Sequence, residues 1–279
     1  MSTQNTQDLT QPTLVNLSKV LKLAVSVFLF LLPAISTAEE PAEEVTEQTE
    51  QLEIIGDRPD FTESSAAIPP RHLQGELGVA YSTIGDENVL TVPNLLLRIG
   101  IVEHLEVRLG LPSFTAFFID GNTFPDASGA ELGMKAAFDV GDAGALGILP
   151  YAVFPVYREA WEGEGLELGI KGLWSVDLGT FFSLGGNLGV IFTGVTPSNA
   201  DFTPHYLASL SLGLSLFGWF GTYVEVYGFL TNDLDVISVA DGGFTFLVAP
   251  WLQLDVHAGA GLNPDARGFD VGAGAVFLI

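Results

Sequence analysis

The residues able to do chemistry fall on alternate positions of strand-like stretches. Glu76, Arg98, Glu106, Arg108, Glu131, Lys135, Glu167 and Lys171 share one face in the first half of the chain. Tyr223, Glu225, Tyr227, Asp241, Asp255, His257 and Asp270 share it in the second half. Successive side chains of a strand point to opposite faces, so this spacing gathers the polar groups on one surface. Arg98, Glu106, Arg108, Glu131 and Lys135 mix signs and can form a ladder across neighbouring strands that neutralises itself. Glu225, Asp241, Asp255 and Asp270 have no Lys or Arg on their own face, only His257, and read as an acidic wall. With Asp177, the face carries nine carboxylates against Arg98, Arg108, Lys135 and Lys171, about −5 if all are ionised. A confined passage lined this way concentrates cations and tolerates neutral solutes.

Enzyme chemistry is not expected from these residues. The four histidines are His72, His104, His205 and His257, and none forms a close-spaced metal pair. His205 near Ser209 and Ser211 is the sole sequence-local nucleophile arrangement, and it lacks the spacing of a triad. There is no Cys, which excludes disulfides and thiolate metal sites. No metal or cofactor is expected. A net charge of −24 argues against nucleic acid as a partner.

The elements that must hold this face are strands. In Thr203–Leu230, Leu210, Leu212, Leu214 and Leu216 alternate with Ser209, Ser211, Gly213 and Ser215, and a tight turn at Phe217-Gly218 starts a second alternating run. About twelve such segments follow His72, joined by connections that alternate short and long. The face opposite the polar one carries Leu95, Leu97 and Ile99, then Leu105, Val107 and Leu109, then Leu252, Leu254 and Val256, with no charge in any segment. A soluble sandwich would place charges there, because that face would meet water. Lipid does not tolerate them: Arg or Lys at the midplane costs about 2–4 kcal/mol. Aromatics collect near the segment ends, with Phe181, Phe217, Trp219 and Trp251 at one end and Tyr81, Tyr206 and Phe269 at the other. The predicted fold is therefore all-β: a transmembrane antiparallel β-barrel of about 12 strands, of bacterial outer-membrane type. Many positions on the polar face are Gly, among them Gly78, Gly100, Gly213 and Gly274; they either keep the lumen open or relieve curvature. The long connection Pro112–Gly129 holds Phe114, Phe117, Phe118 and Phe124, too apolar to stand in water. It is expected to fold inward or cap the mouth as a gate; packing outward on lipopolysaccharide acyl chains is the competing expectation.

Ahead of the barrel the chain changes character twice. In residues 1–38, Lys19 and Lys22 precede an apolar run and the small-residue pattern Ser36-Thr37-Ala38, which predicts a cleaved signal peptide. Residues 39–71 begin as an acidic, aromatic-poor tail and are expected to be a mostly disordered periplasmic linker. Residues 72–279 form the barrel. The expected location is the bacterial outer membrane, with both chain ends in the periplasm. The expected partners are outer-membrane lipid and lipopolysaccharide, the barrel-assembly machinery and small-molecule solutes.

Three stretches carry a family resemblance: GDRPDFTESSAAIPPRHLQGELG (Gly56–Gly78), VPNLLLRIGIVEHLEVRLGLP (Val92–Pro112) and LGGNLGV (Leu184–Val190). They resemble the outer-membrane transporters labelled as a MetA pathway of phenol degradation. The chain departs from such barrels at its end, where Phe277 is followed by Leu278-Ile279 rather than closing on an aromatic. The resemblance implies an outer-membrane location and passive transport, with neutral aromatic solutes compatible and Tyr223 and Tyr227 as stacking surfaces. The expected function is thus a channel for small molecules, with a structural or surface-interaction barrel of closed lumen as the alternative.

Overall fold

The computed structural model describes residues 54–85, 87–156, 165–195, 203–230, 236–264, 266 and 268–279. The expected signal peptide and the first part of the acidic tail lie outside the described residues.

Fourteen strands form one sheet. They are β1 (Leu73–Ile84), β2 (Glu87–Val102), β3 (Leu105–Leu111), β4 (Phe114–Ile119), β5 (Asn122–Ala127), β6 (Ala130–Val140), β7 (Gly144–Phe154), β8 (Leu166–Leu178), β9 (Phe182–Val195), β10 (Thr203–Phe217), β11 (Phe220–Leu230), β12 (Val236–Ala249), β13 (Leu252–Gly261) and β14 (Phe269–Leu278). Every pairing is antiparallel. β1 pairs with both β2 and β14, so all strands but β4 and β5 close into a barrel of twelve. Closure satisfies the main-chain N–H and C=O groups that lipid could not. The last residue takes part: the Leu73 N–H donates to the Ile279 carbonyl at 2.9 Å, and the Ile279 N–H donates back at 2.8 Å.

The register follows the alternation. Leu212 pairs with Leu184 and Val224 on the outer face, and Ser211 pairs with Gly185 and Glu225 on the inner one. The outer face is apolar and uncovered, with Leu188 at 64% and Val224 at 60% exposure, while Arg98, Glu106 and Lys135 inside have 0%. Burial is thus inverted relative to a soluble domain, as a barrel in lipid requires. Tight turns join strand pairs at one end, where His104 and Gly179 adopt the left-handed backbone at φ 63° and 85°. The long connections gather at the other end.

Two expectations change here. Pro112–Gly129 neither folds inward nor caps the mouth. β4 continues β3 along β2, pairing Phe114 with Val92 and Phe118 with Asn88, and β5 pairs back on β4. The hairpin extends the wall beyond the rim. Opposed residues share a face, so Phe117 and Phe124 stand together on the lumen side of the hairpin and Phe114 and Phe118 on the outside. The apolar sequence is explained by sheet pairing rather than by capping. The second change concerns the tail. From Ile54 to Pro70 the chain is not a spacer outside the barrel; it lies inside it.

Candidate functional site: a segment threaded through the barrel

Residues 54–70 have no strand of their own to pair with. Many of their main-chain groups are instead met by inward side chains of the wall, and others by the segment's own Asp57 and Ser64. The Gln74 amide donates to the Ile55 carbonyl at 2.7 Å and accepts from the Ile55 N–H at 3.3 Å. Asn187 does the same to Glu63, at 3.0 and 2.8 Å. Glu76 accepts from the Asp57 N–H, Glu106 from the Ile68 N–H, and Glu225 from the Phe61 and Thr62 N–H groups. Buried main-chain polar groups need such partners.

Asp57 is the electrostatic centre. Its carboxylate contacts Arg108, lies 3.3 Å from Arg98 and 3.4 Å from Lys135. Arg98 also grips Glu106 through Nε at 2.9 Å and reaches Glu76 at 3.0 Å. Lys135 lies 3.5 Å from Glu106. Three cations and three carboxylates thus balance in a buried site at the edge of the lumen. The mixed ladder expected from sequence exists, but the wall supplies only part of it, and Asp57 completes it. Glu131 sits at its margin, 3.9 Å from Arg108.

The segment is tied to the remaining walls as well. Glu63 pairs with Lys171 and, at 3.1 Å, with Arg108. Ser65 bonds Ser175 at 2.7 Å, and Thr62 bonds Ser209 at 2.8 Å. The acidic wall acquires a base after all: Arg58 binds Asp255 at 3.0 Å. Glu225, in the same wall, holds Thr62 through both its N–H and its hydroxyl, at 3.0 and 2.7 Å. Asp241 stands opposite Glu225, and His257 lies 3.6 Å from Asp270. Glu167 stands opposite Val153 on β8, away from the Asp57 cluster.

Several inward glycines now have a reason. A Cβ at Gly78 or Gly274 would lie 2.4 Å from the Arg58 guanidinium. One at Gly100 would lie 2.0 Å from the Pro69 carbonyl oxygen. They are small because the segment passes there, not because the lumen is empty or the wall sharply curved. Aromatic contacts add a further anchor. The Phe61 ring stacks on Tyr227 with centroids 4.2 Å apart and meets Phe229 edge-on at 5.4 Å. Tyr223 is buried close to Gly243, in the wall of the cavity nearer the turns.

The segment divides the lumen. At the turn end a cavity of about 530 Å³ is lined by small polar residues, including Ser183, Ser211, Ser215, Thr222 and Thr245. At the loop end a cavity of about 520 Å³ is lined by Glu131, Lys171, Tyr227, Asp241, His257 and Asp270. Arg58, Pro59, Asp60 and Glu63 line both, so they are the partition. Sequence reading placed the wall residues on the inner face but missed Asp57, Arg58, Phe61 and Glu63. The available signal was the contrast between the acidic tail and the Gly56–Gly78 stretch, with its mixed charges, Phe and prolines.

A closed antiparallel barrel of twelve strands, apolar outside and charged within, defines a protein of the outer-membrane porin and channel type. The family model described as "Putative MetA-pathway of phenol degradation" matches residues 56–279, and the chain belongs to that family. An outer membrane channel from Pseudomonas putida F1 has a similar fold, with TM-score 0.65 and 13% identity over 79% of this chain and 100% of that one. The NanC porin is similar with TM-score 0.54 and 9% identity over 73% of this chain and 98% of that one. No curated protein matches the chain. The family match begins at Gly56, so it includes the lumenal segment.

Proposed function

We propose that the protein is a channel of the bacterial outer membrane for passive passage of small molecules, with the Gly56–Pro70 segment as its internal constriction. The carrying observation is the pair of cavities of about 530 and 520 Å³ separated by one segment of chain. A barrel whose sole task was structural would have no need of space on both sides of a partition. The short turns face the periplasm and the long connections the exterior, so the segment enters from the periplasmic side. Solutes are cations or neutral molecules, since carboxylates outnumber bases along the path. Small aromatic solutes fit the chemistry of Tyr223 and of Tyr227, whose face Phe61 covers until the segment moves; the Phe61–Tyr227 stack supports this reading.

The test is conductance of the purified protein in planar bilayers, wild type against a variant lacking residues 54–66. The channel reading expects steps that are small in the wild type and larger in the deletion. A second reading, a barrel permanently closed around a structural segment, is favoured by the full burial of the Asp57 cluster. It expects no conductance in the wild type and steps only in the deletion, and that result would replace the first.

A further inference from the structure

Hydroxyl side chains alternate with glycines across the inner wall at the turn end. Opposed residues form rows that run round the barrel. Ser183 faces Gly213, Ser175 and Ser211 flank Gly185, and Ser215 and Thr245 flank Gly221. A Cβ at Gly213 would lie 2.5 Å from Ser183 Oγ, and one at Gly221 would lie 2.7 Å from Thr245 Oγ1. These are atoms of the wall, so the lumenal segment does not account for these glycines as it does for Gly78, Gly100 and Gly274. Here Gly gives room to hydroxyls that lie across it. The strands give up side-chain packing at these positions and gain an open floor of hydroxyl groups.

The row nearest the partition is used by it. Ser175 bonds Ser65 at 2.7 Å, and Ser211 donates to Asp60 at 3.3 Å. The hydroxyls of Ser183, Ser215 and Thr245, nearer the turns, bond no other described residue and line the turn-end cavity, where Gln253 adds an amide. A hydroxyl donates once, accepts twice and rotates to suit, so a group of them matches the hydroxyls of a solute in either sense. An anion fits poorly. Arg58 is the base in this lining and is taken by Asp255, while Asp60, Glu63 and Asp177 bring carboxylates. The volume of about 530 Å³ falls within the roughly 300–1,000 Å³ of small-molecule sites, whose walls are mostly apolar. This wall is not, so its occupant brings polar groups of its own.

We infer that the turn-end cavity is a binding site for uncharged polyhydroxylated solutes, of the monosaccharide or sugar-alcohol class. Such a solute reproduces the hydrogen bonds of the water it displaces. Ser215, Thr245 and Gln253 also line a further recess of about 450 Å³ beside Phe217, Gly218 and Trp219, so the cavity is continuous with the mouth at the turns. A solute enters or leaves there without moving the partition. The inference names a solute class for the periplasmic half of the proposed channel. It rests on that reading only for passage across the partition, so binding and conductance fail separately.

The test is saturation-transfer NMR on the purified full-length protein in an amine-oxide detergent, whose head group carries no sugar. D-glucose and D-mannitol should both bind. D-glucuronate should bind roughly tenfold more weakly than glucose, because its charge meets carboxylates. A diol with the carbon chain of mannitol, hydroxylated only at its ends, should not displace mannitol. Ser183→Ala/Thr245→Ala should weaken glucose binding roughly fivefold or more, through the loss of its partners. Gly213→Arg keeps both hydroxyls but fills the cavity, and should abolish binding. No signal from glucose or mannitol overturns the site, as does unchanged binding in either variant or glucuronate binding as tight as that of glucose. Glucose binding by a wild type that passes no current would remove the channel and keep the site; current without binding would do the reverse.

Discussion

Asp57 decides whether the segment stays. Its partners Arg98 and Lys135 have no exposure, so removing the carboxylate leaves buried cations in excess. Breaking a buried pair from one side costs roughly 3–5 kcal/mol, far more than an exposed pair contributes. The segment has no ladder to fall back on, whereas the barrel keeps its closed hydrogen-bonded wall. Asp57→Asn should therefore release the segment before it unfolds the barrel. The expected readout is higher single-channel conductance and new protease sensitivity near Arg58, with the heat-modifiable gel mobility of the barrel intact. Loss of the folded gel form at ordinary temperature would show that Asp57 holds the wall itself. Gly78→Val should act alike from the other side, because its side chain would occupy the space of the Arg58 guanidinium. If Gly78→Val left conductance and proteolysis unchanged, the glycine would not be there for the segment.

The strands are where the sequence was most legible. Period-two alternation fixes which face each residue takes, and a shift of one residue would send charges into lipid. The pair Leu212 and Gly213 shows this. Leu212 is on the exposed outer face at 38%, and Gly213 lines the cavity at the turn end. Leu212→Arg should impair insertion by roughly 2–4 kcal/mol if it falls near the midplane. Gly213→Arg should fold and lower conductance by filling the cavity. Equal folding yields into lipid vesicles would place the register in doubt. The hairpin β4–β5 was legible only as an apolar loop. Alternation breaks at Pro93 and Pro112, so the pattern that marked other strands was split there. Its pairing with β2 also changes what a deletion should do. Removing Thr115–Thr123 should leave conductance unchanged and lower the thermal stability of the barrel, since Asn88–Val92 would lose its partner strand. A rise in conductance would instead restore a capping role to Phe117 and Phe124.

At the scale of the whole molecule, the barrel could be read from local repetition, and the plug could not. Its contacts join Asp57 to Lys135 and Arg58 to Asp255, positions far apart in sequence, and no periodicity records such pairings. The acidic composition just before Gly56 also argued for disorder, and by composition alone that argument is sound. The wall glycines were the overlooked complement of the missing chain. Selectivity is the property that depends on all of these together. The nine carboxylates and four bases of the wall leave about −5, and Asp57, Arg58, Asp60 and Glu63 add a further −2, giving about −7 for the lumen if all are ionised. That charge is not evenly available to a passing ion. Arg98, Arg108 and Lys135 balance Asp57, Glu76 and Glu106, while Arg58 and Lys171 balance Asp255 and Glu63. Glu225 is engaged with Phe61 and Thr62, so neutralising it would also loosen the partition. The selectivity element is then expected at the loop-end cavity, in Glu131, Asp241 and Asp270. Replacing Asp241 and Asp270 by Asn should move the reversal potential in a salt gradient toward zero while single-channel conductance changes little. The wild-type preference for cations should itself weaken at 1 M salt, where the Debye length is about 3 Å. An anion-selective wild type would contradict the charge argument outright. A reversal potential that moves only when Glu225 is replaced, together with a jump in conductance, would assign selectivity to the partition rather than to the cavity beyond it.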